Sequence, residues 1–185
     1  MERKYAWHNY DDATMEKVYA LSDTYRQFLD NGKTERECVV QAVEFAEAKG
    51  YVNLKDIIKS NTPIKAGDKL YYTHMDKSIA LFNIGTDDIE LGMNILGAHI
   101  DSPRIDVKQN PQYEDSNLVF WDTHYYGGIK KYHWVAMPLA IHGVVVKTDG
   151  TRININIGDN ENDPVFCITD LLPHLGQEQM QKNAA

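Results

Sequence analysis

Apolar residues recur at Met15, Val18, Leu21, Tyr25 and Phe28, spaced by three and four, and Asn31-Gly32 follows as a stop signal. This spacing predicts an amphipathic helix over 12–30. Thr34 and Glu37 have the spacing of a capping box, and Val39, Ala42, Val43 and Ala46 continue on one face until Gly50, so a second helix is predicted over 34–49. "LKDIIKS" adds a short helical turn, and the Asn, Pro and Gly of "NTPIKAGD" mark a loop. The period then changes, and three strands are expected in "KLYYTH", "SIALFNIG" and "MNILGAH". Residues 79–84 and 93–98 are apolar on both faces, the pattern of central strands covered by helices on each side. Two helices followed by such strands indicate an α/β layer.

Past Lys108 the character shifts. "QNPQYEDSN" is polar and loop-like, and strand-rich sequence with several glycines follows, which places a domain boundary near Gln109 and divides the chain into 1–108 and 109–185. "LAIHGVVVK" and "TRININIG" flank Asp149-Gly150, a dipeptide suited to the positive φ angles of a two-residue type I′ turn, so a β-hairpin is predicted there. "PVFCITDLLPHL" reads as a short strand, a turn and the start of a helix running into "GQEQMQKNAA". No internal repeat or low-complexity tract is present.

At 185 residues, the chain has enough length for one domain or parts of two, and closing on itself would bury roughly 70% of its unfolded surface. Hydrophobic, charged and aromatic contents of 43%, 25% and 10% are those of a folded globular protein. The formal charge of -8, with scattered lysines and arginines, argues against a nucleic-acid surface. No apolar run reaches the ~20 residues of a membrane span, and "MERKYAWHNYDD" has no signal-peptide core, so a cytoplasmic location is expected. Cys38 and Cys167 stand in unrelated contexts without CxxC spacing, which suggests free thiols in a reducing compartment.

The candidate chemistry lies in "ILGAHIDSPRIDVK". In extended backbone, residues two apart point the same way, so His99 and Asp101 can share a face just past the end of a strand, where α/β sheets collect ligands. There an imidazole can bind a metal through one nitrogen while a carboxylate orients it from the other side. Pro103 disfavours helical backbone at Ser102 and stiffens the segment. With seven histidines, about half an H-x-D pair is expected by chance, and a second one, His74 with Asp76, is present. His74 reads as a solvated turn histidine, whereas for His99 a metal ligand and a structural histidine both remain open. Gly127-Gly128 reads as a bulge or turn, His142 as a packed core histidine, and Cys167 as buried and inert. No H-E-x-x-H, G-x-S-x-G, P-loop or G-x-G-x-x-G occurs.

"GAHIDSPRIDVK" resembles the first metal-binding motif of the M18 family of zinc aminopeptidases. "KSIALFNIG", "DTHYYGGIKKYHWVAMPLAIHGVVVKTDG" and "VFCITDLLPHLGQEQ" resemble successive blocks of its bacterial, aminopeptidase I-like branch, in order, from about Tyr5 onward. The resemblance implies that 1–108 is the N-terminal part of an α/β/α zinc-peptidase domain, and that 109–185 begins an inserted β-rich oligomerisation domain. It makes His99 a zinc ligand and Asp101 the carboxylate behind it. His174, in "DLLPHL", becomes the candidate to reach a neighbouring subunit's site and bind substrate, with a helix-start histidine after Pro173 as the alternative. It implies peptide substrates, a homo-oligomer formed through the β-rich domain, and two zinc ions per complete site, with cobalt or manganese as other possible metals. The family's bridging carboxylate, second histidine and glutamate base come after the inserted domain, and this sequence contains no Glu-Glu pair. The expectation is therefore an N-terminal portion of a metalloaminopeptidase that is inactive alone. The alternative is a non-catalytic assembly module that associates with full-length subunits.

Overall fold

The computed structural model describes residues 4–183 and divides into two compact units between Asp101 and Ser102. The first unit contains helices α1 (Asp12–Asn31), α2 (Glu35–Ala48) and α3 (Leu54–Ser60), with strands β1 (Val52–Asn53), β2 (Lys69–His74) and β3 (Ser78–Asn83). The sheet order is β1-β2-β3, parallel between β1 and β2 and antiparallel between β2 and β3. Both long helices fall where the apolar spacing places them. Asp11 caps α1 by accepting from the Thr14 amide, and Thr34 and Glu37 close the expected capping box on α2.

Between these helices the chain turns tightly at Gly32. A Cβ there would lie 2.8 Å from Cys38 Sγ and 3.0 Å from the Phe28 carbonyl oxygen, so the absence of a side chain permits the close approach. Gln41 Nε2 donates to that same Phe28 carbonyl, and Phe28 stacks on Phe45, which fixes α1 against α2. Cys38, Val39 and Ala46 of α2 are buried together with Leu70 and Tyr71 of β2. The Tyr71 hydroxyl donates to Glu47 at 2.7 Å and accepts from Asn53 Nδ2, so the phenol's polar end is satisfied. Its hydrogen bond to Glu47, together with burial, raises its pKa above the ordinary 10.0.

The second unit is built from two antiparallel hairpins, β4 (Arg104–Asp115) with β5 (Leu118–Tyr126) and β6 (Ile141–Val146) with β7 (Arg152–Ile157). Isolated bridges from Val135 to Ile168 and from Leu139 to Phe166 hold the following segment. Trp121 and Phe166 are in ring contact at 5.2 Å, and the Arg104 guanidinium lies 4.2 Å from the Tyr126 ring while Arg104 Nε donates to Asp106.

The α/β class read from the sequence is the one observed, as mixed helices and sheets. Several local readings are corrected. Residues 93–98 form no strand, and with 79–84 they are largely exposed rather than covered on both faces, because β3 ends the sheet and no described strand lies beside 93–98. Gln109 lies inside β4, not in a linker; the polar run is the outer half of an exposed hairpin, with a register shift between Val107 and Gln112 around Pro111. The two-residue turn with both φ angles positive is Ser116-Asn117, at 52° and 61°. The β6–β7 hairpin forms as expected, but Lys147 and Thr151 enclose three residues, with Gly150 alone at positive φ, 85°. The expected C-terminal helix reduces to a single turn, Gln179–Gln181.

Candidate metal-binding site

His99 and Asp101 stand together at the end of the first unit, on backbone that belongs to neither helix nor strand. His99 Nδ1 lies 3.1 Å from Asp101 Oδ1 and 3.1 Å from the Asp101 backbone carbonyl oxygen. The i, i+2 spacing thus gives the same-face pairing expected of extended chain. With the proton on Nδ1, the ring donates to these oxygens and its lone pair is on Nε2. The His99 side chain is 84% exposed and that of Asp101 is 37% exposed, so the imidazole is open to water or a ligand.

This arrangement has the geometry of one corner of a carboxylate–histidine–metal unit. It is not a complete one. Catalytic zinc is held by three protein ligands plus water, and no group of three His, Cys, Asp or Glu side chains with metal-binding geometry occurs among the described residues. The donors present fit a single ligand position with its supporting carboxylate, and no more.

The rival pair behaves differently. His74 closes β2, and Met75 and Asp76 form the following turn with φ of 52° and 57°. Arg36 Nη1 donates to the Met75 carbonyl at 3.0 Å and lies 3.7 Å from Asp76, so this H-x-D tethers a hairpin tip to α2. His174 lies in the second unit, in the turn after Pro173, and lines an open cavity of about 640 Å³ with Asp170, Gln177, Glu178 and Lys182. The helix start offered as its alternative surroundings is absent.

His142 is nearly enclosed, at 10% side-chain exposure, but it is no purely apolar core residue: Nε2 lies 3.3 Å from Asp159, which also accepts from Asn156 Nδ2. That partner sits just beyond β7, three residues past Asn156, which the hairpin register pairs with His142, so no local signal could have revealed it. Cys167 is exposed, not buried, because its neighbours Phe166 and Ile168 take the inward positions and form the bridges. Gly127 is a turn glycine at φ 71°, as expected. Nearby, Asp163 accepts from the Gly158 and Asn160 amides and from Asn160 Nδ2, and these bonds hold its carboxyl below the ordinary 3.8.

Comparison with known proteins gives the pair its context. The profile of the family described as aminopeptidase I zinc metalloprotease (M18) matches residues 28–185. A probable M18 family aminopeptidase 1 from Clostridium acetobutylicum is 52% identical over 184 residues, covering 100% of this chain and 40% of the relative. One from Thermotoga maritima is 46% identical over 182 residues, covering 96% of this chain and 38% of its own length. The crystal structure of aminopeptidase I from Clostridium acetobutylicum superimposes with a TM-score of 0.85 at 51% identity, covering all of this chain and 41% of that one. That of aminopeptidase I from Borrelia burgdorferi B31 superimposes with a TM-score of 0.82 at 42% identity, covering 91% and 41%. The chain thus spans about 40% of the length of the curated relatives it matches.

Proposed function

The chain belongs to the M18 family of aminopeptidases, and from that premise we propose that it supplies the N-terminal share of a zinc metalloaminopeptidase that removes N-terminal residues from peptides. The observation that carries this reading is the His99–Asp101 pair, with Nδ1 held by the carboxylate on a side chain that is 84% exposed. Zinc, when bound, supplies a Lewis acid that activates water for attack on the peptide carbonyl. Asp101 fixes the imidazole tautomer, so that Nε2 is the nitrogen offered to the metal. Pro103 keeps Ser102 from helical backbone and so limits the conformations in which the pair is presented. Because the described residues supply one ligand position, the chain by itself is expected to be inactive. His174 is proposed to contact substrate in a neighbouring subunit, through a homo-oligomer built on the β-rich unit, in the cytoplasm. No described helix is long and apolar enough to cross a membrane.

Zinc titration followed by the ring resonances of His99 tests the assignment. Zinc should shift those resonances, His99→Ala should remove the response, and Asp101→Asn should weaken it roughly tenfold or more. A response centred on His74 instead would overturn the choice of pair. Zinc-dependent hydrolysis of an aminoacyl anilide by the 185-residue chain alone would overturn the expected inactivity.

A second reading, an assembly module that associates with full-length subunits, draws on the exposed apolar side chains of the second unit, among them Leu118, Val119 and Tyr125. Native mass measurement with a full-length relative tests it, and the absence of any mixed oligomer would count against it.

A further inference from the structure

The segment that carries His174 is tied down at both ends. Upstream, the Ile168 carbonyl accepts from the Ala136 amide at 2.8 Å, and the Val135–Ile168 and Leu139–Phe166 bridges hold residues 166–168 on the second unit. Just beyond them, Asp170 Oδ1 accepts from the Leu171 amide at 2.8 Å and from Gln179 Nε2 at 3.1 Å. The second of these bonds closes the base of a loop, 170–179. Inside the loop the backbone has little freedom. Leu172 to Leu175 form a tight turn with Pro173 and His174 at its centre, and the Leu172 carbonyl accepts from the Leu175 and Gly176 amides, each at 2.9 Å. Pro173 supplies the φ angle that the second position of such a turn requires. Gly176 is buried, its carbonyl accepts from the Gln179 amide at 3.0 Å, and a Cβ on it would lie 3.1 Å from Gln179 Oε1. The missing side chain therefore lets Gln179 lie close to the turn, with its carboxamide oxygen toward Gly176 and its nitrogen on Asp170.

His174 is exposed at the centre of this turn, so the backbone beneath it, rather than packing around the ring, sets where the imidazole is held. We propose that Asp170 and Gln179 are positioning residues for His174: their hydrogen bond locks the loop and so presents the imidazole where it reaches substrate. The inference rests on the reading above that His174 contacts substrate, and adds to it the device that presents the ring. A loop open at its base samples many arrangements, and only the fraction with the ring in place acts on substrate. Neither positioning residue has to touch the substrate. The clasp asks for an acceptor at 170, which asparagine also supplies, and for a donor at 179, which an ionised glutamate does not.

The clasp is tested first in the 185-residue chain, by amide hydrogen exchange at Leu175 and Gly176. Asp170→Ala and Gln179→Glu should each speed that exchange roughly tenfold or more, whereas Asp170→Asn and His174→Ala should leave it unchanged. Unaltered exchange in both Asp170→Ala and Gln179→Glu would overturn the proposal. The consequence for substrate is read in a chimera, in which this chain replaces the matching part of the Clostridium acetobutylicum relative and is followed by that relative's remaining polypeptide. There Asp170→Ala should lower kcat/KM for peptide hydrolysis about tenfold or more, and Asp170→Asn should keep it within about threefold of the parent. In a His174→Ala background, Asp170→Ala should lower it no further, because a residue that acts through the imidazole has nothing left to position. Unimpaired hydrolysis by Asp170→Ala, or a loss that adds to that of His174→Ala, would overturn the proposal and leave the reading of His174 intact. Full activity in His174→Ala would overturn that reading, and the positioning role with it.

Discussion

Among the described residues, the buried apolar side chains Cys38, Val39, Ala46, Leu70 and Tyr71 belong to the first unit, whereas the second presents its hairpins with most side chains half-buried or exposed. The two are held together by different physics. In the first, a helix face removes apolar surface from water against a sheet, and this non-directional gain supports helices that would be marginal alone. In the second, cross-strand ladders, stacked pairs such as Tyr113 with Phe120, and turn residues with suitable φ carry the structure. A two-stranded hairpin is marginal in water, so the second unit depends more on what covers it.

The comparison can be broken most directly at Leu70. Leu70→Ala should destabilise the first unit by about 2–4 kcal/mol in denaturant unfolding, and leave amide protection in β6–β7 unchanged. Val145→Ala, at a position 49% exposed, should cost less than about 1 kcal/mol. Equal losses would show that both units rely on the same kind of core. Next in size is Thr34→Ala, which removes the capping box of α2 and should cost about 1 kcal/mol, read as faster exchange in the first turn of α2.

The smallest effects are in pH. Burial, with the nearby charges of Glu37 and Glu35, raises the Cys38 thiol above 9.0, and the bond to Glu47 raises Tyr71 above 10.0. Both favour the protonated group in the fold. Their stabilisation is therefore complete below those ordinary values and is lost as pH rises through the higher folded ones, so the first unit should weaken above about pH 9. Asp163 is lowered, so its contribution is present above 3.8 and lost as pH falls through its lower folded value. The loop after β7 should therefore loosen in acid. The cap Asp11 is lowered too, by its bond with Thr14, so the start of α1 should also loosen in acid. Hydrogen exchange resolved by segment would check both edges, and a loop after β7 that loosened in alkali together with the first unit would erase the distinction.

What could be read in advance depended on how local the cause was. The helices, the capping box and the β2–β3 and β6–β7 strands were legible because apolar spacing and turn residues act within a few positions. Residues 93–98 have the composition of a buried strand yet are exposed, because apolar composition specifies a need for cover, not its source. The polar run 109–117 reads as loop, although most of it lies in β4, because a hairpin solvated on both faces loses the period-2 signal. For the site, the spacing of His99 and Asp101 was sufficient to predict their shared face, but His74 with Asp76 had the same spacing and took a different role once Arg36 reached the turn from α2.

The sequence by itself thus determined where α1 and α2 begin and end, that the two strands around Asp149-Gly150 pair as a hairpin, and that His99 and Asp101 share a face, since each follows from backbone geometry over short separations. Only the tertiary structure decided that Cys167 faces outward, that His142 finds Asp159, and that the apolar run before His99 remains exposed. Those outcomes turn on which distant segments are present to pair with and to cover a side chain, and burial is a property of the neighbours as much as of the residue.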